Sequence, residues 1–232
     1  MCRHGEAGFY ATIPARPTLH VAGLSSMARN PEKQTSTRAL IAAAAARIMA
    51  EDGIDDFALA KRKAARQLGT EEGKGLPTND EIEEELRAYR ALYQADEHPA
   101  LVAELLEVSL DAMRALERFR PYLTGPVLKG LAGPYAEIEL QVFPESDKEL
   151  EMFLLDRGIQ FSTREGRRFS GSRARAAGLF SLTWDGVPLK LTVLDPRDER
   201  STLKTSQAGR NLERAGIREV EALCSKWGAK SF

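Results

Sequence analysis

A chain of 232 residues, 43% hydrophobic and 29% charged, is long enough to bury a core, and 33 Lys and Arg against 34 Asp and Glu leave a formal charge of −1. No global field therefore drives it to nucleic acid or to a membrane surface. Two cysteines, Cys2 and Cys224, and three isolated histidines, His4, His20 and His98, make neither a disulfide framework nor a metal-ligand pattern.

Residues 1–34 are expected to form a disordered extension. The first 26 lack a charged start followed by an apolar core, so no secretory signal is expected, and Met27 is an alternative start. Residues 35–120 read as a helical module. STRALIAAAAARIMAED opens on Ser36 as the expected N-cap and stops at Gly53. DDFALAKRKAARQLG follows, closed by Gly69. After a polar loop, Thr78 and Glu81 have capping-box spacing ahead of a third helix. The fourth helix carries Leu101, Leu105, Val108, Ala112, Leu116 and Phe119 at steps of three or four, one apolar stripe.

The pattern changes at Pro121, and residues 121–232 read as an α+β domain built on a small mixed sheet with flanking helices. In AEIELQVF, Ile138, Leu140 and Val142 alternate with Glu137, Glu139 and Gln141, the period of a strand. Ser146 with Glu149 predicts a capped helix, IQFST a strand, and LFSLTWDGVPLKLTVLD a hairpin turning on Asp185-Gly186. A last helix is expected over about 206–226. Residues 1–119 hold 15 Lys and Arg against 19 Asp and Glu, and residues 120–232 hold 18 against 15, so the second half is mildly basic. No apolar run reaches about 18 residues, so no membrane span or membrane partner is expected, and the cytoplasm is the expected location.

Glutamate is depleted in strands, which singles out Glu137 and Glu139. At i and i+2 they project from one strand face, about 6–7 Å apart at the backbone. Carboxylates so placed can converge on Mg2+ (or Mn2+), which neutralises phosphate oxygens and activates an attacking hydroxyl. Upstream, TGPVLKGLAG offers a glycine turn entering a short helix, and the amides of such a turn can face a triphosphate. A solvated face of an antiparallel sheet explains the same alternation without chemistry.

Turn, short helix and acidic strand together resemble the nucleotidyltransferase superfamily, the DNA polymerase β-like or minimal nucleotidyltransferase fold, over roughly residues 110–195. The family pattern is Gly-Ser on a helix-opening turn, about ten residues, an acidic-hydrophobic-acidic strand and a third acid on a later strand. Gly125 matches the glycine, and Glu137 and Glu139 match the paired acids. Pro126 stands at the serine, and Lys190 falls at the third acid, with Asp195 the nearest carboxylate. The resemblance implies transfer of a nucleoside monophosphate from an NTP to a hydroxyl of RNA or a small-molecule acceptor. It makes Glu137, Glu139 and Asp195 catalytic, the first two as metal ligands, and Gly125, Lys129, Gly130 and Lys190 nucleotide-binding. The departures imply an alternative: a catalytically degenerate member that binds nucleotide, RNA or a protein partner.

Residues 157–175 hold six arginines, Arg157, Arg164, Arg167, Arg168, Arg173 and Arg175, against Glu165 alone. Read as a loop, the last five suit phosphate or acceptor contact, because a guanidinium binds phosphate through two parallel hydrogen bonds. Phe161 and Phe169 can stack on bases. A solvated loop balancing the acidic helix 145–156 is the plainer reading. GTEEGKG falls short of a P-loop, since Gly69 and Gly73 are one residue too close and Gly75 replaces Ser or Thr. The N-terminal helices lack a groove-reading partner, because DEIEEELR is too acidic to approach phosphates.

Overall fold

The computed structural model describes residues 31–70, 75–170, 173–200, 203–204 and 213–228, with backbone alone for 31–36, 167–170, 173–176 and 203–204. Most of the expected extension, with Met27, lies outside these residues. Three helices come first: α1 (Pro31–Asp52), α2 (Phe57–Gln67) and α3 (Asn79–Tyr93). α1 starts at Pro31, so Ser36 lies within the helix rather than at its cap. Proline in a first turn gives up only an N–H that has no helical partner. Small side chains let the helices approach closely: Ala42, Ala45, Ala46, Ala60 and Ala64 are buried together with Ile41, Ile82 and Leu86. Asp56 caps α2, accepting from the N–H groups of Ala58 and Leu59 at 2.7 and 3.3 Å.

Thr78 and Glu81 form the expected capping box on α3. The Glu81 carboxylate also accepts from Arg38 of α1, at 2.7 Å from Nη2 and 2.9 Å from Nε. The Arg38 bonds, then the Thr78 N–H, hold its pKa down at about 2, against an ordinary 4.5. A depressed carboxylate contributes stability in full above the ordinary value and loses it as pH falls through the folded one. Glu81→Gln keeps a capping side chain and is expected to flatten the stability–pH curve between pH 4.5 and about 2. An unchanged acid limb in thermal melts would contradict that assignment.

α4 (Glu97–Ala115) buries a wider face than the expected stripe. Val102, Leu105, Leu106, Ser109, Leu110, Ala112 and Met113 are buried, while Leu101 and Val108 sit half-buried at the edge. The width follows from packing on two sides, against the sheet and against α7 (Ile217–Gly228). Ser109 is accommodated inside because its hydroxyl donates to the Leu105 carbonyl at 2.6 Å. The sheet's apolar core thus reaches back into α4, whereas α1, α2 and α3 close a separate core.

The sheet has six strands in the order β1 (Tyr122–Thr124), β2 (Ile138–Val142), β5 (Val187–Val193), β4 (Arg173–Trp184), β3 (Phe161–Ser170) and β6 (Leu203–Lys204). β2 and β5 run parallel and every other pair is antiparallel, so the sheet is mixed and the class is α+β. α5 (Gly125–Leu128) links β1 to β2, and α6 (Asp147–Asp156) links β2 to β3. Asp185 (φ 48) and Gly186 (φ 80) make the expected two-residue turn, both left-handed as such a hairpin requires. Ser146 occupies the N-cap of α6 but its hydroxyl makes no capping bond; Glu149 accepts instead from the Glu145 N–H and from Arg118.

The basic stretch departs from the expected loop. Residues 161–170 pair with 173–182 along their length, so Arg164, Arg167, Arg168, Arg173 and Arg175 stand in β3 and β4, while Arg157 is the C-cap of α6. The last helix begins at Ile217 rather than near 206, because Ala215 is held extended in a β-bridge, its N–H and C=O bonding Leu123 at 2.9 and 2.8 Å. Residues 205–212 lie outside the described set. One sheet face presents Ile138, Leu140, Leu189, Leu191, Phe180 and Leu182 to the core. Register places Glu139, Lys190, Ser181 and Ser162 across the other.

Candidate functional site

The parallel pairing of β2 with β5 sets Glu139 opposite Lys190. The Lys190 Nζ lies 3.4 Å from Glu139 Oε1 and 3.6 Å from Glu137 Oε2, so one ammonium bridges both carboxylates. The Lys190 side chain is 28% exposed and each glutamate 37%, which leaves the cluster open to water.

Gly125 (φ 76) stands against this pair: a Cβ there would lie 2.9 Å from Glu139 Oε2. Its left-handed backbone and the close approach both require glycine. Thr124, opposite Glu139 across β1 and β2, donates its hydroxyl to the Glu139 carbonyl at 3.2 Å. Pro126 follows in the first turn of α5 and offers no N–H. A carboxylate pressed on the turn, and one amide fewer, leave it a poor anion cradle by itself.

Asp195 is not brought to the pair. It lies five residues beyond Lys190, past the end of β5, about 16 Å along the strand. Its Oδ1 accepts from the Arg197 N–H at 2.8 Å and caps the 3-10 turn Pro196–Asp198. Lys129 and Gly130 turn away as well. Lys129 Nζ donates to Glu83 Oε1 at 2.6 Å, and a Cβ on Gly130 (φ 64) would lie 2.5 Å from the Trp227 ring. Arg164 is exposed on β3, and Arg157 sits over the Phe153 ring at 4.4 Å. For Arg167, Arg168, Arg173 and Arg175 the backbone register places each position, with no side-chain geometry.

The segment leading into the acidic strand is held residue by residue. Leu131 packs into the core of the N-terminal helices. Arg90 Nη1, on α3, donates to the Ala132 carbonyl at 2.9 Å, and Gly133 leaves room for Arg90 Nη2. The Tyr135 ring lies over Gly53, where a Cβ would come within 2.7 Å of it. Arg90 is buried, and burial lowers its pKa against the opposing pull of Asp55. Asp55, in the turn between α1 and α2, stays exposed as a residue while its carboxyl is crowded. That crowding pushes its pKa up, Arg90 pulls it down, and the Glu139 charge pushes it up. A third carboxylate, contributed by the helical module, therefore feels the charge of Glu139.

Asp55, Arg90 and Glu83 read from the sequence as ordinary solvated charges. The one available signal is spacing: Arg90 follows Ile82 and Leu86 at steps of four, on the buried stripe of α3. His98 belongs to the same seam. Burial, then the Arg90 charge, push it down to about 4, so the neutral ring accepts from Arg90 Nη1 at 2.9 Å. The unfolded chain takes up that proton near 6.5 and the folded one resists it to about 4. Stability is therefore complete above pH 6.5 and declines as pH falls toward 4. His98→Gln is expected to flatten that interval in thermal melts; a slope equal to the parent's would reject the assignment.

Two cavities lie apart from the pair. One of about 460 Å³ is bordered by Asp55, Phe57, Lys61 and Asn79. The other, about 230 Å³, lies between α6 and β3, bordered by Asp147, Glu151, Thr163, Arg164 and Glu165. A divalent metal does not fit the paired glutamates as they stand. Mg2+ takes a full shell of oxygens, whereas an ammonium bridges these two carboxylates and Asp195 is distant. No group of three His, Cys, Asp or Glu able to hold a metal occurs among the described residues. No described helix is long and apolar enough to cross a membrane. No protein-family model, curated protein or solved structure matches the chain.

Proposed function

We propose that this chain is a catalytically silent, nucleotidyltransferase-like module of the cell interior that binds a nucleotide or the end of an RNA at Lys190. One observation carries the reading: Lys190 Nζ bridges Glu137 and Glu139 at the position where the superfamily pattern has its third acid. A fixed ammonium offsets one of the two carboxylate charges without a metal. It does not act as a Lewis acid, and it does not generate a strong nucleophile from a bound hydroxyl. With two of its three donors directed at Glu137 and Glu139, it keeps one for a phosphate oxygen, and the two carboxylates accept from ribose hydroxyls or base amino groups. Gly125 keeps the turn close against Glu139.

The transferring reading moves a nucleoside monophosphate from NTP to an acceptor hydroxyl with Mg2+ or Mn2+. The Gly125–Glu139 approach favours it, and it requires Lys190 to leave the pair. Labelled NTPs separate the two. The expected result is no transfer or self-labelling with either metal, and a thermal shift with NTP as large in EDTA as in Mg2+. Metal-dependent labelling that disappears in Glu137→Gln/Glu139→Gln would overturn the binding reading and establish transfer.

A further inference from the structure

We propose that one face of the β3–β4 ribbon is a docking surface for single-stranded nucleic acid, independent of what binds at Lys190. The argument rests on register. Arg168 is the direct partner of Arg175, Ser170 of Arg173, and Arg164 of Leu179. Alternation puts positions 164, 168, 173 and 175 on the sheet face that carries Ser162, Ser181 and Lys190. From Arg164 to Ser170 the ribbon runs about 20 Å, enough for several nucleotides.

Like charges directly opposed across an antiparallel pair destabilise the ladder. The Arg168–Arg175 pairing, with two further arginines on the same face, therefore costs the isolated fold and is relieved by a polyanion. Within β3 and β4 the one described acid stands apart from it, and Glu139, which shares the face, lies two strands from β4, on β2. Glu165 alternates onto the opposite face and gathers with Asp147 and Glu151 around the cavity beside α6, which Arg164 also borders. Every basic residue from 157 to 175 is arginine, the side chain whose planar fork suits phosphate. β6 pairs with β3 at Phe169 and Ser170, so the outer part of the ribbon is three strands wide. At about 4.8 Å per strand, plus side chains, that is too broad to enter a major groove about 12 Å wide, which favours a flexible single strand laid across a flat face.

Fluorescence anisotropy of the full chain with a labelled oligouridylate of about 20 nucleotides tests this, at about 50 and 200 mM salt. Binding is expected to weaken as salt rises. Arg168→Gln/Arg175→Gln should lose at least about tenfold in affinity and lower the salt slope by roughly 1.4, two phosphate contacts at about 0.7 each. Far-UV circular dichroism checks the fold, and Arg164→Gln/Arg173→Gln supplies the same test if the first pair fails to fold. No binding by the parent at the lower salt, unchanged affinity in the folded variants, or equal competition by duplex DNA or by polyglutamate would each overturn the proposal.

Discussion

Lys190→Asp is expected to melt below the parent protein in EDTA and to regain that loss, or exceed it, when Mn2+ is added. The substitution places a third carboxylate opposite Glu139 on the neighbouring parallel strand and removes the ammonium that now bridges Glu137 and Glu139. Without metal the three acids repel, and a loss of about 1–2 kcal/mol follows for charges that water partly screens. With metal they form a hard-oxygen set, and saturation at about 100 times the Kd adds about 2.7 kcal/mol. Lys190→Met is the control, since it breaks the bridge without adding a ligand and should gain much less from Mn2+. A parent protein stabilised by Mn2+ as strongly as Lys190→Asp would show that Lys190 does not govern the site.

The second large effect is structural. Gly130→Ala should destabilise the fold by about 2–5 kcal/mol, from about 1–2 for a left-handed non-glycine residue and about 1–3 for overpacking. A Cβ there meets the Trp227 ring at 2.5 Å, and Trp227 anchors the end of α7 to the sheet's core. Gly158 separates the two contributions, because its φ is 66 and a Cβ there meets nothing within 4 Å. Gly158→Ala should therefore cost only the backbone part. Chemical denaturation followed by tryptophan emission measures both, and equal losses would mean that the Trp227 contact contributes nothing.

What the sequence makes legible is what local chemistry decides. The Thr78–Glu81 box and the Asp185-Gly186 turn each need only neighbouring residues, and each is found where expected. The strand is found as Ile138–Val142, but Glu137 precedes it and Gln141 is buried, so the expected alternation holds only in part. Lys190 is singled out only through the resemblance, which aligns it with the third acid; the parallel pairing that sets it opposite Glu139 is not legible in the sequence. Nor are the arginine-rich arms of β3 and β4. Their Gly, Ser and Arg content reads as loop, and they continue as strands past the end of the β4–β5 pairing because β3 and β4 pair with each other out to Ser170 and Arg173. Long-range seams are equally silent. Lys129 meets Glu83 across 46 residues and Arg90 meets Ala132 across 42, and no periodicity announces either contact. A motif read as nucleotide-binding, Lys129-Gly130, is thus also the place where the helical module grips the sheet domain.

Manganese binding by the unaltered chain bears most directly on whether an ammonium has replaced a metal between Glu137 and Glu139. Calorimetric titration with Mn2+ is predicted to give no saturable heat below about 1 mM, with the same trace from Glu137→Gln/Glu139→Gln. One equivalent bound tighter than about 10 μM in the parent and lost in that double variant would contradict it.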